Sequence, residues 1–188
     1  MSKKTKKIIG IIIIILIIAI LLLGVFRVQD IILKKIYRTD YAEFVIPNAE
    51  TNGLDPYFVF AIIKAESNFK AGDTSSSGAI GLMQLLPETA IEEGKNIGED
   101  IILKQELYDP ETNIKIGTSY YAKLKEKYQN ELVALAAYNA GMGRVDEWLS
   151  QGIIKPDGSD IENIPYKETL NYVRKIERDY KIYQSLYE

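Results

Sequence analysis

At 188 residues, 47% of them hydrophobic, the chain is long enough for one folded domain. It contains no Cys and no His, which excludes disulfides, thiolate nucleophiles, zinc–thiolate sites and every mechanism built on imidazole. Acid–base chemistry near neutral pH falls to a carboxylate, Lys or Tyr with a displaced pKa, and no metal or cofactor is expected.

Residues 1–7 form a short tail carrying Lys3, Lys4, Lys6 and Lys7. Residues 8–26 are Ile, Leu, Ala, Val, Phe and two Gly, with no charge. As a helix they span roughly 28 Å, close to the hydrocarbon thickness of a bilayer. The leading lysines favour a cytoplasmic N-terminus with the rest translocated. The expectation is a single-pass protein of the cell membrane with an extracytoplasmic domain. A cleaved signal is the rival reading, but the apolar run is long for one, and Arg27-Val28-Gln29-Asp30 offers no small-x-small cleavage site. Residues 27–39 read as a mixed-charge juxtamembrane linker, and residues 40–188 as one mostly helical domain. With the four leading lysines set aside, 19 basic residues face 26 acidic ones, a net of −7, which argues against nucleic acid as a partner.

The helix signals follow in order. A first segment around Tyr41–Thr51 must accommodate Pro47, so a kink or break is expected. Asp55-Pro56 pairs an N-cap with Pro at the first helical position and opens a helix to about Ser67. Residues 71–81 are rich in Gly and Ser and read as loop, with any strand content confined to 74–86. Pro87-Glu88 opens a short helix. Asp109-Pro110 opens another to about Tyr128, with Ile114, Gly117, Tyr121, Leu124 and Tyr128 on one face. Asn130-Glu131 precedes a further helix, Leu132 to Ala140, which is dense in Ala and Leu and is ended by Gly141 and Gly143. The last helix runs from about Tyr166 or Glu168 to Tyr187, with Val173, Ile176, Tyr180, Tyr183 and Tyr187 as its apolar stripe. An acidic turn, Asp157 to Glu162, lacks the full spacing of a calcium loop and reads as a solvated turn.

Two helices carry a polar residue where the apolar face should continue. Val59, Ile62, Ile63 and Glu66 stand at i, i+3, i+4 and i+7. A carboxyl there is partly desolvated and lies at the negative end of the helix dipole. Both effects raise its pKa, as a general acid requires. Position alone also allows Glu66 to turn outward or to pair with Lys64 or Lys70. Leu132, Leu135, Ala136 and Asn139 repeat the pattern, and Asn139 admits the plainer reading of a C-cap. Gly78 and Gly81 in the loop before Gln84 would let backbone approach a ligand, or simply form a turn.

At these residues the sequence resembles the soluble-lytic-transglycosylase (SLT) family. The blocks are Ala65-Glu66-Ser67-Asn68-Phe69; Ser75 through Ala90; Asp109-Pro110 with Asn113-Ile114 and Gly117; Ala134 through Gly141; and Ile164-Pro165 with Glu168-Thr169 and Tyr172-Val173. They occur in family order across residues 40–185. The resemblance implies a mostly α, lysozyme-like (α+β) fold, a two-lobed helical domain with a substrate cleft, preceded here by one transmembrane helix. It implies cleavage of the β-1,4 bond between N-acetylmuramic acid and N-acetylglucosamine in peptidoglycan glycan strands, with Glu66 as acid and then base. Ser67 and Ser75 match positions near the catalytic Glu, and Gln84, Tyr138, Asn139 and Glu168 match positions lining the cleft. Ser76 stands where Pro is frequent in the family, and Leu86 where Met is frequent. Such chemistry needs one carboxyl rather than the pair of most glycosidases; Asp73 is the only nearby candidate for a hydrolase-type base, and the resemblance does not imply that role for it. The alternatives are a hydrolytic muramidase on the same fold and a non-catalytic glycan-binding scaffold. A membrane-tethered domain of this kind also suits service to a cell-envelope machine.

Overall fold

The computed structural model describes residues 2–99 and 104–188. The chain divides into two compact units, Met1–Arg38 and Thr39–Glu188. The first unit is one continuous helix, α1 (Lys3–Ile36). It runs through the apolar segment and on through the mixed-charge stretch behind it. Ser2 caps its start by accepting from the Lys4 amide, and Lys34 and Lys35 sit in its last turn, where the helix dipole favours positive charge. Among the described residues it is the one helix long and apolar enough to cross a membrane.

The second unit contains α2 (Ala42–Thr51), α3 (Pro56–Glu66), α4 (Pro87–Asn96), α5 (Pro110–Tyr128), α6 (Glu131–Ala140), α7 (Met142–Ser150) and α8 (Lys167–Tyr187), with short 3-10 turns at Lys104–Tyr108 and Ile161–Asn163. The start signals act as the sequence implies. The Asp55 carboxylate accepts from the Tyr57 amide, Asp109 from Thr112, and Asn130 from both Leu132 and Val133. Two details differ from expectation. Pro47 does not break α2; the Asn48 side chain donates to the Phe44 carbonyl at 2.8 Å in the turn that lacks a proline N–H. Gly143 is not a stop but lies within α7. Gly141 alone turns the chain, at φ 86°, and α7 begins at the next residue to bury Val145 and Trp148.

No sheet forms among the described residues. Two isolated antiparallel bridges, Thr74 with Ile80 and Ile80 with Leu85, fold the loop before α4 back on itself inside the anticipated 74–86 stretch. The core is built round α3, in which Phe58 through Ile63 are all buried. α8 packs most extensively on α3, and α6 packs on α5 and α8. The expected α5 face of Ile114, Gly117, Tyr121, Leu124 and Tyr128 is buried. Each large aliphatic or aromatic side chain in this core contributes on the order of 1.5–3 kcal/mol. The functional consequence is positional: the last residue of the central helix is Glu66.

Candidate active site

Glu66 ends α3 with neighbours that hold the helix terminus firmly. The Ser67 amide donates to the Ile63 carbonyl, and the buried Ser67 hydroxyl reaches the Leu82 carbonyl at 2.8 Å. Ser67 therefore faces inward and ties the end of α3 to the loop before α4; it does not line the cavity described below.

That loop is fastened from its other side by Asn113 on α5. Its fully buried amide accepts from the Met83 N–H at 2.8 Å and donates to the carbonyls of Ile80 (3.0 Å) and Leu107 (2.8 Å). Gly81 sits at φ 81°, where a Cβ would overlap the Asn113 amide and the Leu107 carbonyl, so both the conformation and the space demand glycine. Gly117, one turn along α5, leaves room for the Met83 side chain. The Met83 carbonyl in turn accepts from the Tyr138 hydroxyl at 2.7 Å. Gln84, at φ 47°, turns its amide nitrogen back to the Gly81 carbonyl at 2.9 Å. Ser75 accepts from the Ala79 amide and shares a 2.9 Å hydrogen bond with Ser77.

These anchors enclose a cavity of about 230 Å³. Ser75, Gln84, Tyr138, Asn139 and Glu168 line it together with Glu66, and Ser77, Ala79 and Leu86 complete the wall. Asn139 lies inside the last turn of α6 with Gly141 as the capping residue, so its side chain faces the cavity rather than ending the helix. Asp73 is exposed and outside the lining. The Asp157 carboxylate accepts from the Ser159 amide of its own turn.

Glu66 does not turn outward. Its Oε1 accepts from the Tyr172 hydroxyl at 2.6 Å, while Lys64 pairs with the buried Asp179 at 2.8 Å. The residue as a whole is only half-buried, but its carboxyl is closely surrounded by protein. Desolvation raises its pKa from 4.5 to about 7, against the opposing pull of the Tyr172 hydrogen bond and of the positive charge on Lys175. Burial, with the Glu66 charge adding to it, pushes the phenols of Tyr138 and Tyr172 well above their ordinary range, so both remain protonated donors. Tyr172 and Lys175 are the site residues that sequence reasoning did not single out. Their signal was the spacing Glu168, Tyr172, Lys175, at i, i+4 and i+7 on one face of α8.

A small helical domain with one desolvated carboxyl at the edge of a polar cavity is of the lysozyme-like class. The chain belongs to the transglycosylase SLT domain family, which matches residues 43–158. It is similar to the soluble lytic murein transglycosylase of Salmonella typhimurium, 39% identical over 122 residues, covering 63% of this chain and 19% of that protein. It is also similar to the membrane-bound lytic murein transglycosylase C of Serratia proteamaculans, 30% identical over 173 residues, covering 77% of this chain and 46% of the relative. Among solved structures it resembles an inactive Glu-to-Gln mutant of the lytic transglycosylase Slt from Pseudomonas aeruginosa. That match has a TM-score of 0.71 at 33% identity and covers 79% of this chain and 24% of that one. The chain thus spans about a fifth of the length of the soluble relative and under half of the membrane-bound one.

Proposed function

We propose that the protein is a membrane-anchored peptidoglycan lytic transglycosylase. It cleaves the β-1,4 bond between N-acetylmuramic acid and N-acetylglucosamine without water and leaves 1,6-anhydromuramic ends. The observation that carries this reading is the desolvated carboxyl of Glu66, with a pKa of about 7, on a cavity lined by amide and hydroxyl groups and by the Glu168 carboxylate. An acid titrating there is substantially protonated at neutral pH and is still a competent base once ionised. Tyr172 occupies Oε1, so Oε2 is the oxygen that delivers the proton.

The proton passes from Glu66 to the glycosidic oxygen as the C1–O bond breaks and positive charge develops at C1. The substrate's own N-acetyl group stabilises that centre. The Glu66 carboxylate then takes the proton from the muramic acid 6-hydroxyl, whose oxygen closes on C1. One bond breaks, one forms, and the proton count of the enzyme is restored. Tyr172 stabilises the carboxylate between the two transfers. Gln84 keeps its amide nitrogen on the loop and offers its carbonyl oxygen to the sugar. Asn139 supplies a second amide, and together they hold the ring in a reactive orientation. The naming of the relatives as lytic murein transglycosylases and the inactivity of a Glu-to-Gln mutant of the Pseudomonas protein support this reading.

A hydrolytic muramidase is the second reading, favoured by one observation: Glu168 is another carboxylate on the cavity wall and would have to activate water. Mass analysis of products from purified peptidoglycan separates the two. Anhydro ends, lighter by one water and absent with Glu66→Gln, support the proposal; reducing ends overturn it.

In this reading residues 8–26 cross the cell membrane once, with the N-terminal lysines in the cytoplasm and residues 40–188 on the far side. The long apolar α1 and the membrane-bound relative support attachment. Protease added to intact spheroplasts should digest the domain; its protection would reverse the orientation.

A further inference from the structure

Glu66 occupies an awkward place for a group that must give up a proton before it takes one back. It is the last residue of α3, where free carbonyls already concentrate negative charge. Lys175 on α8 meets that end directly: its ammonium donates to the Ala65 carbonyl at 3.2 Å. Among the described residues no carboxylate pairs with it within 4 Å, whereas its neighbour Lys64 is paired with Asp179, which Arg178 also contacts at 2.9 Å.

We propose, on the basis of the transglycosylase reading, that Lys175 is a positioning residue whose positive charge offsets the carbonyl end of α3 and lets one carboxyl serve as both acid and base. The charged and titratable groups round this point come from four helices. α3 contributes Lys64 and Glu66, α5 contributes Tyr120 and Tyr121, α6 contributes Tyr138, and α8 contributes Glu168, Tyr172, Lys175, Arg178 and Asp179. Of these, Lys175 is the cation that acts on Glu66, and it does so from a half-buried position where solvent screens it incompletely. The Lys175 ammonium is itself held below the usual lysine range, first by desolvation and then by Lys64, with Asp179 and Glu66 opposing. The group thus senses the charge state of the carboxyl it tunes. Without Lys175, burial and the helix terminus would act on Glu66 together. The carboxyl would then give up its proton less readily and accept one from the 6-hydroxyl more readily.

The test is a titration of Glu66 in the full chain in detergent micelles. It is followed by carbon NMR of labelled Glu carboxyls, with Glu66→Gln assigning the signal. Lys175→Gln keeps an amide donor for the Ala65 carbonyl and removes the charge. It should move the Glu66 midpoint upward by about half to one pH unit, a three- to tenfold rise in the ratio of protonated to ionised carboxyl at a given pH. Lys175→Arg should return it. Lys175→Met is a second charge-deleting variant, read in the same way if Lys175→Gln does not fold. A midpoint unchanged by loss of the charge overturns the inference, even if activity falls. The two ideas fail separately. An unshifted midpoint in a protein that still produces anhydro ends sinks only the role of Lys175. A shifted midpoint in a protein without turnover sinks only the transglycosylase reading.

Discussion

Glu66→Gln keeps the shape of the side chain and its capacity to accept from Tyr172 while removing the charge, so it isolates the cost of ionising a desolvated carboxyl. In the unfolded chain this acid titrates near 4.5, and in the folded protein at about 7. Between those values the folded state binds more protons, so the wild-type protein loses stability as pH rises through that window. Below pH 4.5 both states are protonated and the loss is absent; above pH 7 it is complete. At about 1.4 kcal/mol per pH unit the full loss is about 3 kcal/mol. The Gln variant carries no such proton. It should match wild type near pH 4, gain on it from pH 4.5 to 7, and level off about 3 kcal/mol more stable at pH 8, or roughly 6–12 °C in Tm. The chain has a single Trp, Trp148, 3% exposed in the second unit, so its fluorescence follows unfolding of that unit in the full chain. A stability difference that stays flat from pH 4 to 8, or a variant less stable at pH 8, would refute desolvation as the dominant influence on Glu66. Activity should be lost throughout, by on the order of 10³–10⁴-fold, because one residue performs both proton transfers.

In the wild-type protein kcat/KM should fall as pH rises through about 7, since the free enzyme must start with Glu66 protonated; a profile flat to pH 9 would contradict this. Tyr172→Phe removes the hydrogen bond that favours the carboxylate. It should shift that alkaline limb upward while cutting kcat by about 10–100-fold, measurable in the same pH series. Gly117→Ala drives a methyl into Met83, whose carbonyl holds Tyr138. Denaturant melts should show about 1–3 kcal/mol of destabilisation, and kcat should drop with KM little changed. Asn113→Leu strands the Met83 amide and the Leu107 carbonyl and leaves the Ile80 carbonyl with the Leu85 amide as its donor. The cost should be about 1–3 kcal/mol for each group left unpaired, and hydrogen exchange should show faster amide exchange in residues 80–84; unaltered exchange there would count against Asn113 as the fastener of the loop.

The opposite fates of Glu66 and Ser67 mark the limit of reading along the chain. The spacing Val59, Ile62, Ile63, Glu66 suffices to put the carboxyl on the buried side of its helix, because helical geometry alone decides which residues share a face. Ser67 is adjacent and matches the same family block, yet it points into the protein and bonds to Leu82, because the helix has ended and the turn sets its direction. Gly143 misled for a related reason. A glycine signals a break where the chain needs one, but here Gly141 already supplied it, and Val145 and Trp148 drew the next residues straight into α7. Asn113 was legible only as a member of a family block. Its task as the fastener of the 80–83 loop depends on a partner 30 residues away.

The sequence by itself determined the absence of thiol and imidazole chemistry, the helix starts at Asp55, Asp109 and Asn130, the apolar run of residues 8–26, and the face on which Glu66 and Asn139 lie. Each of these follows from composition or from contacts within one or two helical turns. Only the tertiary structure decided that Tyr172, 106 residues from Glu66, would donate to it and that Lys175 would meet the end of α3. It also brought Ser75, Gln84, Tyr138, Asn139 and Glu168 to one cavity. A pKa displaced by burial belongs to no single segment: it exists only once separate helices have excluded water from the same carboxyl.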